Sequence, residues 1–174
     1  MQQLALQLLR ALALAIGVKE DFFVSHFFEP LSVFRLIHYP GLPEQKGRRV
    51  VCGEHTDYGI LTLLYQDKHG GLQVRDLSGE WMDAPPVDGS FVVNIGDMME
   101  MWSNDRYKST AHRVLNPGVD RISMPFFCEP NPDTLITCLD NCYSTENPAK
   151  YPPVTASTWL QKRFAQTYAY RSAT

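Results

Sequence analysis

Residues 50–65, VVCGEHTDYGILTLLY, contain two short runs of β-branched and aromatic residues, 50–57 and 60–65. Runs of this length and composition are typical of half-buried β strands. We therefore predict two strands in this stretch, and the fold class depends on how often the same pattern recurs in the rest of the chain.

The pattern recurs on both sides. Further candidate strands are 33–39, 72–76, 80–83, 90–95, 108–115, 121–128 and 134–139. Turn-forming residues separate them, at Gly70-Gly71, Ser78-Gly79, Asp88-Gly89 and Asn116-Pro117-Gly118. Short strands at such regular spacing predict a mainly β fold of the sandwich, jelly-roll or barrel type.

Helices are expected near the two ends of the chain. The run from Leu4 to Ile16, LALQLLRALALAI, is rich in helix formers and is followed by Gly17. It is too short to span a membrane and apolar on nearly every side. We therefore expect it to contact a second copy of the chain or a region that the chain lacks. Residues 157–170 predict a closing helix.

Length and composition narrow the class of protein. The 174 residues correspond to one domain, and the 44% of hydrophobic residues exclude a disordered chain. The net charge of −3 gives no electrostatic reason to bind nucleic acid or a membrane surface. The four cysteines form no C-x-x-C pair, which favours reduced thiols in a cytoplasmic protein.

The segment Glu54-His55-Thr56-Asp57 carries the first chemical signal. Residues two apart on a strand point to the same side, so His55 and Asp57 can aim an imidazole and a carboxylate at one point. His112 lies 55 residues after Asp57. Two histidines and one carboxylate form the facial triad of non-haem iron(II) oxygenases, which leaves three coordination positions open. Zinc could bind the same donor set.

The segment Arg121-Ile122-Ser123 carries the second signal. On a strand, Arg121 and Ser123 face the same side, and Phe127 follows on that side. A guanidinium can bind a carboxylate through two hydrogen bonds, and a serine hydroxyl adds a third donor. Taken alone, the arginine could equally form a surface ion pair. Its position after the two histidines and Asp57 favours an anion site.

These motifs together resemble a known family. The ordered set His55-x-Asp57, His112-Arg113-Val114 and Arg121-x-Ser123 is similar to that of the iron(II)/2-oxoglutarate-dependent dioxygenases, in their isopenicillin N synthase-like branch. Intervening segments agree, with GGLQV at 70–74, VNIGD at 93–97 and WSN at 102–104. The resemblance extends over nearly the whole chain.

The resemblance implies a fold and a set of roles. The fold would be a double-stranded β-helix, a jelly-roll variant, with helices flanking it at both ends. His55, Asp57 and His112 would bind Fe(II). Arg121 and Ser123 would hold the far carboxylate of 2-oxoglutarate, and Tyr39 would donate to the same carboxylate. Phe127 would contact the substrate.

The implied activity is oxidation of a small organic substrate, coupled to the oxidative decarboxylation of 2-oxoglutarate by O2. Ascorbate would serve as reductant. Five residues suggest an apolar or aromatic substrate, namely Phe126, Phe127, Tyr65, Met98 and Met101. The resemblance implies that residues 1–174 form one catalytic domain, without the further N-terminal region that the family usually carries.

Two other functions stay open at this point. A ring-closing iron oxidase would use the arginine and serine to hold its own substrate and would ignore 2-oxoglutarate. A non-catalytic metal-binding or interaction domain would have an unfinished pocket and would dock through the helix from Leu4 to Ile16.

Overall fold

The protein is described as a computed structural model covering residues 1–41 and 48–172. Three α-helices are present in this part of the chain, α1 (Gln2–Ile16), α2 (Asp97–Trp102) and α3 (Ala156–Ser172). The strands are β1 (Val33–Phe34), β2 (Ile37–Tyr39), β3 (Arg49–His55), β4 (Leu61–Gln66), β5 (Leu72–Arg75), β6 (Trp81–Asp83), β7 (Val92–Ile95), β8 (His112–Asn116), β9 (Arg121–Cys128), β10 (Leu135–Ile136) and β11 (Val154–Thr155).

Two antiparallel sheets form the body of the molecule. The first has the strand order β1-β9-β4-β7, and β2 also pairs with β9. The second has the order β3-β8-β5-β6, and β10 and β11 form a separate small ribbon. The predicted mainly β, jelly-roll architecture with a helix at each end is confirmed.

The predicted strands are found at the expected positions in the chain, but several of them are shorter than predicted. The candidate 33–39 divides into β1 and β2, and the candidates 108–115 and 134–139 shrink to β8 and β10. Helix α2 was not predicted, because its six residues cover fewer than two turns and give little helical periodicity. The closing helix is present as α3.

Helix α1 packs along one stripe. Ala5, Leu9, Ala13 and Ile16 are buried at spacings of three and four residues, and they join the core that holds Phe23, Trp102 and Leu61. This stripe finds its partners within the chain, whereas Leu4 and Leu14 stay exposed. Contact of another face of α1 with a second copy or a further region remains a prediction. Gly17 ends the helix as predicted, in a left-handed conformation (φ 88°) that glycine adopts without strain.

Two further expectations concern the environment of the protein. Among the described helices, none combines the length and apolarity needed to cross a membrane. All four cysteines lie within the described residues, and none of them forms a disulfide bond.

Candidate metal centre

Pairing of β3 with β8 brings the two predicted histidines together. In the register of these strands, His55 is the partner of His112. Their ring centroids are 4.2 Å apart, with an angle of 55° between the ring planes. The two imidazoles therefore meet although they belong to distant segments of the chain.

Asp57 reaches the same point from a loop and not from a strand. Strand β3 ends at His55, so the predicted alternation along one strand is wrong for Asp57. The loop is held instead by the start of α2, since the amide of Asp97 donates to the Asp57 carbonyl (2.8 Å). The Asn94 side chain donates to Oδ2 of Asp57 (2.8 Å), which leaves Oδ1 facing Nε2 of His112 at 3.6 Å.

The donor atoms of His55, Asp57 and His112 all lie within 4.8 Å of one another. Both histidines use Nδ1 for a backbone bond, His55 to the Gly53 carbonyl (2.8 Å) and His112 to the Thr110 carbonyl (2.9 Å). A carbonyl only accepts hydrogen bonds, so Nδ1 carries a proton in each ring and Nε2 is the nitrogen that can bind a metal. The arrangement fits a divalent metal ion held by two imidazoles and one carboxylate.

The pKa values of the two imidazoles are shifted in opposite directions. Burial lowers the pKa of His112, although the nearby Asp57 carboxylate opposes that shift. Burial also disfavours the charged form of His55, but the hydrogen bond with Cys52, the charges of Cys52 and Asp57 and the bond to the Gly53 carbonyl together outweigh burial and raise the pKa of His55 to about 9. Metals bind neutral imidazole, so the raised pKa of His55 makes protonation compete with metal binding at this residue.

Arg121 fits the predicted anion site. The residue is 1% exposed, and its buried Nε and Nη1 atoms have no hydrogen-bond partner in the part of the chain that the structure describes. The Tyr39 ring lies 4.8 Å from the guanidinium carbon, so the structure brings Tyr39 to Arg121 through its ring face. A Cβ on Gly71 would lie 2.1 Å from the Leu115 carbonyl oxygen and 3.6 Å from that guanidinium carbon, so only glycine fits beside Arg121.

The other predicted site residues lie on the same face of β9. Ser123 is buried and Phe127 is half-buried. Both lie an even number of residues from Arg121 on the strand, so the three side chains share one face. Phe126, Met98 and Met101, by contrast, pack inside the hydrophobic core. They fill space under α1, so they no longer support an apolar or aromatic substrate.

Helix α3 fastens the loop that carries Asp57, which the sequence did not reveal. Trp159, Arg163 and Thr167 lie one turn apart and contact this loop. The Trp159 indole donates to the Tyr58 carbonyl (3.2 Å), and Thr167 bonds to the Tyr58 hydroxyl. Arg163 pairs with Asp97 and donates to Oγ1 of Thr56 (3.2 Å).

Glu129 is a second residue that the sequence did not reveal. It follows β9 directly and is 6% exposed. Burial, reinforced by the charge of Asp57, raises the pKa of Glu129 to about 7. A Cβ on Gly59 would lie 2.9 Å from Cγ of Glu129, so this side chain lies beside the loop of Asp57.

Known proteins that are similar to this chain point to the same kind of metal site as its geometry does. Residues 30–130 match the family model of the 2OG-Fe(II) oxygenase superfamily. A 2-oxoglutarate-Fe(II) type oxidoreductase of Emericella nidulans is 42% identical over 98% of this chain and 50% of its own length. A homoarginine-6-hydroxylase of Glycine max is 48% identical over 80% of this chain and 44% of its own length.

A solved structure is also similar. A full-length protein of Neurospora crassa, solved in complex with alpha-KG and thymine, superposes with a TM-score of 0.86 and 38% identity. The match covers 95% of this chain and 53% of that chain. The present chain spans about half the length of the curated relatives that it matches.

Proposed function

Because the chain belongs to the 2OG-Fe(II) oxygenase superfamily, we propose that it is an Fe(II)- and 2-oxoglutarate-dependent oxygenase that hydroxylates a small organic molecule. The observation that carries the proposal is the pairing of two features, a cluster of two imidazoles and one carboxylate and a buried guanidinium with two unpartnered nitrogens. One feature suits the metal and the other suits a dicarboxylate.

Each residue has a proposed role. His55, Asp57 and His112 hold Fe(II) through two Nε2 atoms and Oδ1. Arg121 donates from Nε and Nη1 to the far carboxylate of 2-oxoglutarate, with Ser123 as a further donor. Tyr39 supports the guanidinium with its ring face and excludes water from it. When bound, the metal and cosubstrate supply the oxidation, in which 2-oxoglutarate, O2 and a C–H bond become succinate, CO2 and a C–OH group.

Before any oxidation, side chains and backbone groups of the protein hold the metal ligands in position. Asn94 holds one oxygen of Asp57, so that carboxylate offers a single oxygen to the ion and leaves coordination positions open. The backbone carbonyls of Gly53 and Thr110 fix the orientation of the two imidazoles. Phe127 lies on the face of β9 that carries Arg121, so we assign it to the substrate pocket.

The names of the relatives support a small polar substrate, since they include homoarginine hydroxylases and a protein solved with thymine. We assign the cytoplasm as the site of action, supported by four cysteines that form no disulfide within the described residues. The oxidant is O2, and ascorbate is the reductant that keeps iron in the ferrous state.

The test measures cosubstrate use directly. Protein loaded with Fe(II) in the presence of ascorbate should convert 2-oxoglutarate to succinate, slowly without substrate and faster with homoarginine or thymine. The variant His112→Ala should lose succinate formation while its circular dichroism spectrum is unchanged. Failure of folded, iron-loaded protein to bind 2-oxoglutarate would reject the proposal and would favour a ring-closing oxidase or a non-catalytic domain.

A further inference from the structure

Glu129 is a buried carboxylate that the proposed chemistry does not use. The residue is more than nine-tenths buried. Within the described part of the chain no hydrogen bond or ion pair reaches the carboxylate, and only the backbone of Glu129 is bonded, to the Ser32 hydroxyl. The carboxylate oxygens are not among the fully enclosed polar atoms that lack a partner, so they stay open to a ligand that enters the site.

The strand alternation shows where this side chain points. Phe126 and Cys128 face the hydrophobic core under α1. Residues of opposite parity on β9, from Arg121 to Phe127, face the other side of the sheet. Glu129 lies just beyond the end of β9. Its Cγ would be 2.9 Å from a Cβ on Gly59, beside the loop of Asp57, and it is close enough to Asp57 for the two charges to interact. It therefore lies on the metal side, beyond Phe127 and at the opposite end of this face from Arg121.

Phe127 lies near the end of β9, and Glu129 follows two residues later, just beyond the strand. An aromatic ring and a carboxylate two residues apart on one face can stack against a planar cation and accept two hydrogen bonds from it. An alkylammonium can use the same carboxylate and ring, with fewer fixed directions. A neutral urea of the same shape offers the hydrogen bonds without the charge.

The charge balance of the filled site supports a cation. The metal dication and Arg121 together match Asp57 and a 2-oxoglutarate dianion in charge. The carboxylate of Glu129 is then the remaining negative charge. A substrate with one positive nitrogen group would neutralise it and would favour its ionised form.

We propose that Glu129 binds the substrate and that the substrate carries a cationic nitrogen group, a guanidinium or an amine. This inference rests on the proposed function, because it assumes that metal and 2-oxoglutarate fill the rest of the site. It replaces the apolar or aromatic substrate suggested by the sequence with one that is polar and positively charged at the end near Glu129.

The test uses binding and not turnover. The chain is loaded with Mn(II) as a redox-stable substitute for Fe(II), and 2-oxoglutarate is added and titrated by calorimetry. Butylguanidinium and its uncharged isostere butylurea are then titrated into the loaded protein. The variants are Glu129→Gln, which keeps the volume and removes the charge, and Glu129→Asp, which keeps the charge on a shorter side chain. Glu20→Gln, which changes an exposed carboxylate paired with Arg10, is the control.

The wild type and Glu20→Gln should bind butylguanidinium about ten- to a hundredfold more tightly than butylurea, since a charged partner strengthens each hydrogen bond. Glu129→Gln should bind the two probes equally and should bind 2-oxoglutarate as the wild type does. Glu129→Asp should keep part of the preference. Equal binding of the two probes by the wild type, no binding of the cation, or an unchanged preference in Glu129→Gln would overturn the inference. If the wild type does not bind 2-oxoglutarate, the proposed function itself fails.

Discussion

Replacement of Arg121 by methionine should change stability and ligand binding in opposite directions. Arg121 is 1% exposed, and two of its guanidinium nitrogens find no partner among residues 1–41 and 48–172. Burial lowers the pKa of Arg121, which reports the same unfavourable environment for its charge. Methionine fills a similar volume and needs no hydrogen bonds. Arg121→Met should therefore stabilise the ligand-free chain.

The magnitudes follow from the two orphaned donors. A buried donor left unpaired costs about 1–3 kcal/mol, so relief of both should raise the unfolding free energy by about 2–6 kcal/mol. For a chain of this size, each kcal/mol corresponds to about 2–4 °C in Tm. With 2-oxoglutarate present, two charge-assisted hydrogen bonds of about 1.5–3 kcal/mol each are lost. The affinity for 2-oxoglutarate should fall by roughly a hundredfold to ten-thousandfold.

The assay is thermal unfolding with and without 2-oxoglutarate, in the presence of Mn(II). Wild-type Tm should rise with 2-oxoglutarate concentration, because a ligand that binds only the folded state stabilises it. Arg121→Met should start from a higher Tm and show no such rise. Arg106→Met is the control, because Arg106 already donates to the Ile16 carbonyl and its loss should not stabilise the chain. A ligand-free Arg121→Met protein that is less stable than the wild type, or one that still responds to 2-oxoglutarate, would refute the reasoning.

Three further predictions concern other parts of the molecule. Arg163→Met should weaken Co(II) binding about 10–100-fold, measured by visible absorption, because the Asp57 loop loses a support, whereas Arg163→Lys should restore part of the affinity. Burial opposes the ionised form of Asp105, but hydrogen bonds from Lys150, Tyr151 and Lys108 and the charge of Lys108 together outweigh burial and hold the pKa of Asp105 far below its ordinary value. The unfolding free energy should therefore fall as the pH drops below about 4, and urea denaturation of Asp105→Asn between about pH 3 and pH 7 should show a smaller fall. Leu9→Ala, at a fully buried position of α1, should lower the unfolding free energy from urea denaturation by about 2–5 kcal/mol, and a loss below about 1 kcal/mol would contradict the packing of α1.

The sequence predicted those parts of the site that lie on strands. Period-two alternation and the order of the motifs were enough to select His55, His112 and Arg121, because strand pairing converts such positions into neighbours. Asp57 lies beside the histidines as expected, but for another reason, since a loop and α2 bring it there. A loop conformation has no periodic signature, so the alternation rule could not describe it.

Residues that support or complete the site were beyond the reach of the pattern. Arg163 lies 107 residues from Thr56, and only the packing of α3 against the barrel brings them together. Glu129 follows a strand with no motif around it, and its meaning depends on burial and on the absence of a partner among the described residues. The contact of Arg163 with Thr56 and the burial of Glu129 both depend on tertiary packing, so they cannot be inferred from a single sequence.

The row of Trp159, Arg163 and Thr167 along α3 has a consequence for how the protein loses activity on heating. Helices at the margin of a domain open at lower free energy than central strands do. Each opening of α3 would release the loop of Asp57 while the paired strands stay intact. Loss of the proposed activity should therefore precede the melting of β structure, and a moderately warmed sample would keep its two sheets while no longer binding a metal ion.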